Sequence, residues 1–176
     1  MGLTLLVAAL VVLLAPHVQA QVDERDDRPT AEALFAAGRE ALRRGDYRAA
    51  HTKFAESNRL DPAVGTVLNL AICEEHLGRL ASAWQRYQEV IHALGPGDER
   101  LPIARTKAAA IDPRVPRLTI RLAPAAPADT KVMLGAGALT SASFGLALPR
   151  DPGKHEIVAS ADGRAPRRYS GHSANT

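Results

Sequence analysis

The sequence predicts an α+β protein in which an N-terminal array of helical hairpins is followed by a small antiparallel β-domain. Three observations carry this expectation. Sliding the chain against itself by 33 residues aligns Leu34 with Val67, Ala37 with Leu70, Gly38 with Ala71, Gly45 with Gly78, Ala50 with Ala83, Phe54 with Tyr87 and Ser57 with Val90, and repetition at one fixed offset marks stacked supersecondary units. After Pro113 the apolar spacing changes from a helical period of about 3.6 to a strand period of about 2. The composition agrees: 33 alanines and 21 leucines against seven aromatics give a core of small and aliphatic side chains, which suits close-packed helices.

The chain opens on an uncharged apolar run, residues 3–16, followed by the charged stretch Asp23 to Arg28. A membrane span needs about 20 apolar residues, so the run fits the core of a secretory signal, with Val18-Gln19-Ala20 as the cleavage site before Gln21. Met1 to Thr4 contain no Lys or Arg, which leaves open an uncleaved segment that anchors the protein in the membrane. The expected organisation is a signal segment over 1–20, a charged linker over 21–29, a helical domain over 30–112 and a β-domain over 113–176. The expected location is periplasmic or secreted.

Thr30 is placed to cap the first helix, whose apolar stripe is Leu34, Ala37, Gly38 and Ala41; Arg43 and Arg44 suit its C-terminal dipole. Gly45 supplies the turn, Asp46 can cap the second helix, and Ala50, Phe54 and Ser57 form its inner face until Asp61-Pro62 stops it. A second pair is expected over 64–77 and 80–93, with Gly78 between. A fifth helix from Asp98 to Ile111 would cap the array, because about three repeats are needed to bury a continuous core. Pro102 is tolerable in its first turn, and Asp112-Pro113 ends it.

Residues 31–64 resemble a tetratricopeptide repeat along their length, through Leu34, Ala37-Gly38, Gly45-Asp46-Tyr47, Ala50, Phe54 and Leu60-Asp61-Pro62. Residues 64–96 resemble a degraded second copy that keeps Leu70-Ala71, Gly78, Ala83 and Tyr87, carries Glu74 at a usual core position and lacks the closing Asp-Pro. The resemblance implies a concave groove lined by the first helix of each pair, which takes an extended protein or peptide segment. Carried onto this chain, the groove candidates are Phe35, Arg39, Leu42, Arg43, Leu68, Asn69, Ile72 and His76. Some members of that family clamp a C-terminal carboxylate with Lys and Asn. Asn69 matches one clamp position, but Phe35 and Arg39 stand where the lysine and another asparagine would be.

In the C-terminal segment, 118–122, 131–134, 145–148 and 155–159 alternate as strands, with turn residues at Pro124, Pro127, Gly135-Ala136-Gly137, Asp151-Pro152-Gly153 and Asp162-Gly163-Arg164. The run from Leu148 to Ile157, with Ala161-Asp162-Gly163-Arg164, resembles the PEGA-type β-module of bacterial envelope proteins. The polar tail from Ser170 to Thr176 stands where a further strand is expected and reads as a truncated or atypical one.

Charge divides between the parts. Residues 21–112 hold 13 basic and 15 acidic side chains, whereas 113–176 hold nine and four. Arg164, Arg167 and Arg168 are therefore candidates for contact with an anionic envelope surface. The net charge of +3 is too small to argue for nucleic acid.

No nucleophile elbow, zinc-protease helix, phosphate loop or dinucleotide fingerprint is present. The histidines at 51, 76, 92, 155 and 172 sit singly, and one cysteine, Cys73, excludes an internal disulfide framework and any cysteine-based metal cluster. Glu74 and Glu75 read as a solvated helix face, with Glu74 partnering an arginine. Cys73 reads as an inert buried thiol, and Arg44-Gly45-Asp46 as an interhelix turn. Trp84 is expected to pack against the capping helix. The sequence thus points to a non-enzymatic scaffold of the bacterial cell envelope with no cofactor, no metal, no nucleic acid and no small-molecule substrate. Its partner would be a protein or peptide in the groove. The alternative is a structural envelope protein whose basic β-module binds cell-wall glycan or anionic polymer.

Overall fold

The computed structural model describes residues 27–173. The signal segment with its cleavage site, and the charged linker up to residue 26, lie outside the described residues. Five helices come first: α1 (Arg28–Arg43), α2 (Tyr47–Leu60), α3 (Val64–His76), α4 (Leu80–Ala93) and α5 (Arg100–Ile111). Each packs chiefly on its neighbours in the chain, so α1/α2 and α3/α4 form two stacked hairpins that α5 closes. None of the described helices is long and apolar enough to cross a membrane.

The two hairpins repeat in atomic detail. Gly45 and Gly78 both take a left-handed φ, +76° and +74°, which glycine adopts without steric cost. At the first turn Gly45 N–H donates to Leu42 O and Asp46 N–H to Ala41 O; at the second, Gly78 N–H donates to Glu75 O and Arg79 N–H to Glu74 O. These are the same bonds displaced by 33 residues. Ala50 and Ala83, like Phe54 and Tyr87, are fully buried. Gly38 permits the closest approach, since a Cβ there would lie 2.7 Å from the Phe54 ring. Ser57 Oγ–H donates to Ala31 O at 2.8 Å and ties α2 to the start of α1.

Two helix starts differ from expectation. α1 begins at Arg28 and not at a Thr30 cap, because Pro29 fits the first turn and Ala31 N–H already bonds Asp27 O. α5 begins at Arg100, while Asp98 serves from just outside the helix: its Oδ1 accepts from Arg100 N–H at 2.9 Å. Trp84 is half-buried against the core cluster that includes Ala104, Ala108 and Ile111 of α5.

After a short 3-10 turn at Asp112–Arg114, the chain forms β1 (Arg117–Thr119), β2 (Lys131–Leu134), β3 (Gly137–Leu139), β4 (Ala147–Pro149), β5 (Gly153–Ser160) and β6 (Arg167–Ser173). β1 and β4 make a two-stranded antiparallel sheet; the other four make an antiparallel sheet of order β3-β2-β5-β6. Pairing of the first sheet stops at Thr119 and Ala147, short of the strands expected over 118–122 and 145–148; Gly145, at φ +82°, leaves the ladder register although its N–H still donates to Ile120 O at 2.9 Å. β3 was hidden by its glycines: the turn is only Gly135-Ala136, and Gly137 already pairs with Leu134. β6 lies where the sequence is polar, which an edge strand tolerates. Among the described residues of the larger sheet only Val132 and Leu134 are buried, so the face they share with Ile157 and Ala159 is thinly covered over the rest of its area.

The two parts are joined by more than the chain. α4 lacks a cap of its own: Arg79 stands at its N-cap and contributes no side-chain bond. Asp151, in the turn between β4 and β5, takes that place. Its Oδ1 accepts from Ala81 N–H at 2.8 Å and Ser82 N–H at 3.0 Å, and Ser82 Oγ–H donates to its Oδ2. In the first hairpin Asp46 Oδ1 accepts from Ala49 N–H at 3.0 Å, and Ser82 lies 33 residues beyond Ala49. The β-domain therefore supplies the capping carboxylate that the second repeat lacks.

Candidate binding surfaces

The eight groove candidates on α1 and α3 divide by what their side chains already do. Leu68 is buried in the larger core cluster, and Ile72 packs against it. Phe35 and Leu42 pack on the smaller cluster of Ala41, Ala50, Phe54, Leu70 and Cys73; the Phe35 and Phe54 rings lie 5.6 Å apart, tilted by 57°. Half of the candidates thus build the array's core.

Of the four polar candidates, Arg39, Arg43 and His76 are exposed and Asn69 is half-buried. Arg39 is exposed and makes no ion pair among the described residues. Arg43 is exposed and ion-paired with Glu40. Asn69 Nδ2–H donates to Gly65 O at 2.9 Å, one turn back on its own helix. His76 is exposed, with its ring stacked on Tyr47 at 3.9 Å and 5°.

Sequence reasoning placed Glu74 on a solvated face, and the structure corrects this. Glu74 is 3% exposed. Its carboxylate accepts from Arg86 Nε at 2.9 Å, and His51 Nε2 lies 3.2 Å from Oε1. The arginine partner expected for it is Arg86 of α4. Glu74 stands where Ala41 stands in the first hairpin, and the larger side chain is accommodated because α2 and α4 each bring a nitrogen to it. Glu75 is half-buried; it accepts from Tyr87 Oη–H at 2.7 Å and pairs with Lys107 Nζ at 3.1 Å. Burial, followed by that bond to Glu75, raises the Tyr87 hydroxyl pKa. Burial, followed by the Glu74 charge, pushes the Cys73 thiol up to about 11. No group of three or more His, Cys, Asp or Glu converges among the described residues.

The β-domain holds a cleft of about 990 Å³ that sequence reasoning did not find. Its floor is the thinly covered sheet face: Val132 of β2, Ile157 and Ala159 of β5, and Tyr169 of β6. Its wall is the segment after β1, with Ile120, Leu122, Ala125 and Pro127. Leu122 and Tyr169 remain exposed at its mouth. Three arginines line it, Arg121, Arg164 and Arg167, and no acidic side chain does. Asp129 lies near Arg164; the Asp162 backbone N–H bond to its carboxylate, then Lys131 and Arg164, hold its pKa below the ordinary value.

The cleft regroups the three arginines expected to act together. Arg167 and Arg168 are consecutive in a strand and so project to opposite faces. Arg164 and Arg167 line the cleft, while Arg168 is ion-paired with Glu156. Arg121 joins the first two. Its signal in the sequence was weak, because Arg121 meets the sheet only through the path of a loop.

Compared with known proteins, the chain matches no protein-family model and no curated protein.

Proposed function

We propose that the protein is a non-enzymatic scaffold of the bacterial cell envelope, with a tetratricopeptide-like array that holds a protein or peptide segment and a PEGA-like β-module that contacts an anionic surface. The observation that carries this reading is the Asp151 cap on α4, which ties the β-domain to the helical array. A scaffold needs its contact surfaces held together, and a tether would not do that. The exposed Arg39 and His76 suit a partner segment with negative charge, and Phe35, Leu42 and Leu68 pack into the two core clusters of the array.

The test is cross-linked affinity capture from envelope extract with the intact protein, in parallel with an Arg39→Glu/His76→Ala variant. A specific protein recovered by the wild type and lost with the variant, with cross-links mapping to α1 and α3, is the expected result. Equal recovery by both overturns the groove assignment. The alternative reading, a basic β-module on wall glycan or anionic polymer, is favoured by the excess of positive charge in residues 113–176. It predicts that purified wall material retains the protein and that Arg164→Ala/Arg167→Ala releases it.

A further inference from the structure

We infer that the β-domain cleft is a binding site for a free anionic amphiphile, an alkyl chain that ends in a carboxylate or phosphate. The inference goes beyond the scaffold reading and stands or falls separately from it.

The chemistry of the lining selects this class. The floor, Val132, Ile157 and Ala159, is the side-chain face of a sheet whose backbone N–H and C=O groups are engaged along the β2–β5 and β5–β6 ladders. Those two floor strands, β2 and β5, therefore offer few main-chain bonds to a peptide, which prefers sheet edges such as the outer edge of β6, and they offer apolar surface to a hydrocarbon chain. The volume of about 990 Å³ lies at the upper end of the range of about 300–1,000 Å³ usual for small-ligand sites. The charge is equally one-sided. Arg121 and Arg167 make no ion pair among the described residues, and no carboxylate lines the cleft. Guanidinium groups beside an apolar trough bind a carboxylate or phosphate head while the trough takes the chain. The concave arrangement favours a single molecule over a bilayer, because Ile120 and Ile157 face into the cleft and do not project from the protein.

Titration calorimetry of the intact protein with dodecanoate and with dodecyl phosphate, below their micellar concentrations, tests this. Saturable one-to-one binding is expected, tightening by about two- to fourfold per methylene along a series of chain lengths. Arg121→Ala/Arg167→Ala, on an exposed surface, should weaken it at least about tenfold with the circular dichroism spectrum unchanged. Ala159→Phe should abolish it by filling the floor. Equal affinity for neutral dodecyl maltoside, no effect of the double arginine variant, or retention only on phosphatidylglycerol vesicles with no binding of free amphiphile would each overturn the inference. Displacement by an acidic peptide that itself binds more tightly would reassign the cleft to a protein partner. Equal protein capture by the wild type and the α1 and α3 variant, with dodecanoate binding intact, would count against the scaffold alone.

Discussion

Glu74 shows how a single residue separates the two repeats. Ala41, at the equivalent place, is buried without a polar partner, whereas Glu74 draws Arg86 of α4 and His51 of α2 onto one carboxylate. Glu74→Ala should destabilise the fold by about 2 kcal/mol, below the 3–5 kcal/mol typical of breaking a fully buried pair, because Arg86 and His51 keep partial access to water. Adding Arg86→Ala should restore part of that loss, and a urea double-mutant cycle measures the coupling. Gly38 sets two small effects against each other. Alanine is the better helix former by about 1 kcal/mol, but its Cβ would press on a Phe54 ring that is fully buried and cannot retreat. Overpacking costs about 1–3 kcal/mol, so Gly38→Ala should be net destabilising by about 1 kcal/mol in the same assay. Cys73, with its pKa raised to about 11, should resist thiol reagents at pH 8 in the native protein and react once it unfolds.

At the scale of elements, helix starts decide what was legible in the sequence. The α1/α2 turn could be read directly, because Gly45 supplies the turn and Asp46 the cap within a few residues. The α3/α4 turn shared its glycine but had Arg79 where a cap was needed, and the compensating Asp151 lies 70 residues from Ala81. No local pattern reports such a partner. The same reasoning explains the β-domain. β2 and β5 were visible from alternation, but β6 was polar, β3 was masked by glycine, and the cleft depends on how the loop after β1 lies over strands far along the chain. Asp98 belongs to this scale as well. The Arg100 side chain and backbone N–H hold its carboxyl at about 2, against an ordinary 3.8. The folded value is the lower one, so its contribution is complete above pH 3.8 and declines as the pH falls toward 2 and below. Carboxyl NMR titration should place its midpoint near 2, with the first turn of α5 loosening over the same window.

At the scale of the whole molecule, the apolar core is unevenly distributed. Among the described residues nearly all buried apolar side chains lie in the helices and Val115, while the larger sheet contributes Val132 and Leu134. The β-domain therefore leans on the array for part of its order. Asp151→Ala should cost about 1–2 kcal/mol as a lost helix cap, and hydrogen exchange should quicken both at the start of α4 and in the turn between β4 and β5. Acceleration confined to α4 would mean that the β-domain holds its position by other contacts. The same carboxylate also governs how the molecule would carry load. Its bonds to Ala81 and Ser82 close the intervening chain into a loop. Tension applied between α1 and β6 would cross from helix to strand at that point, and the rest of α4, α5 and β1 to β4 would hang beside the line of force, unstretched until the clamp gives way.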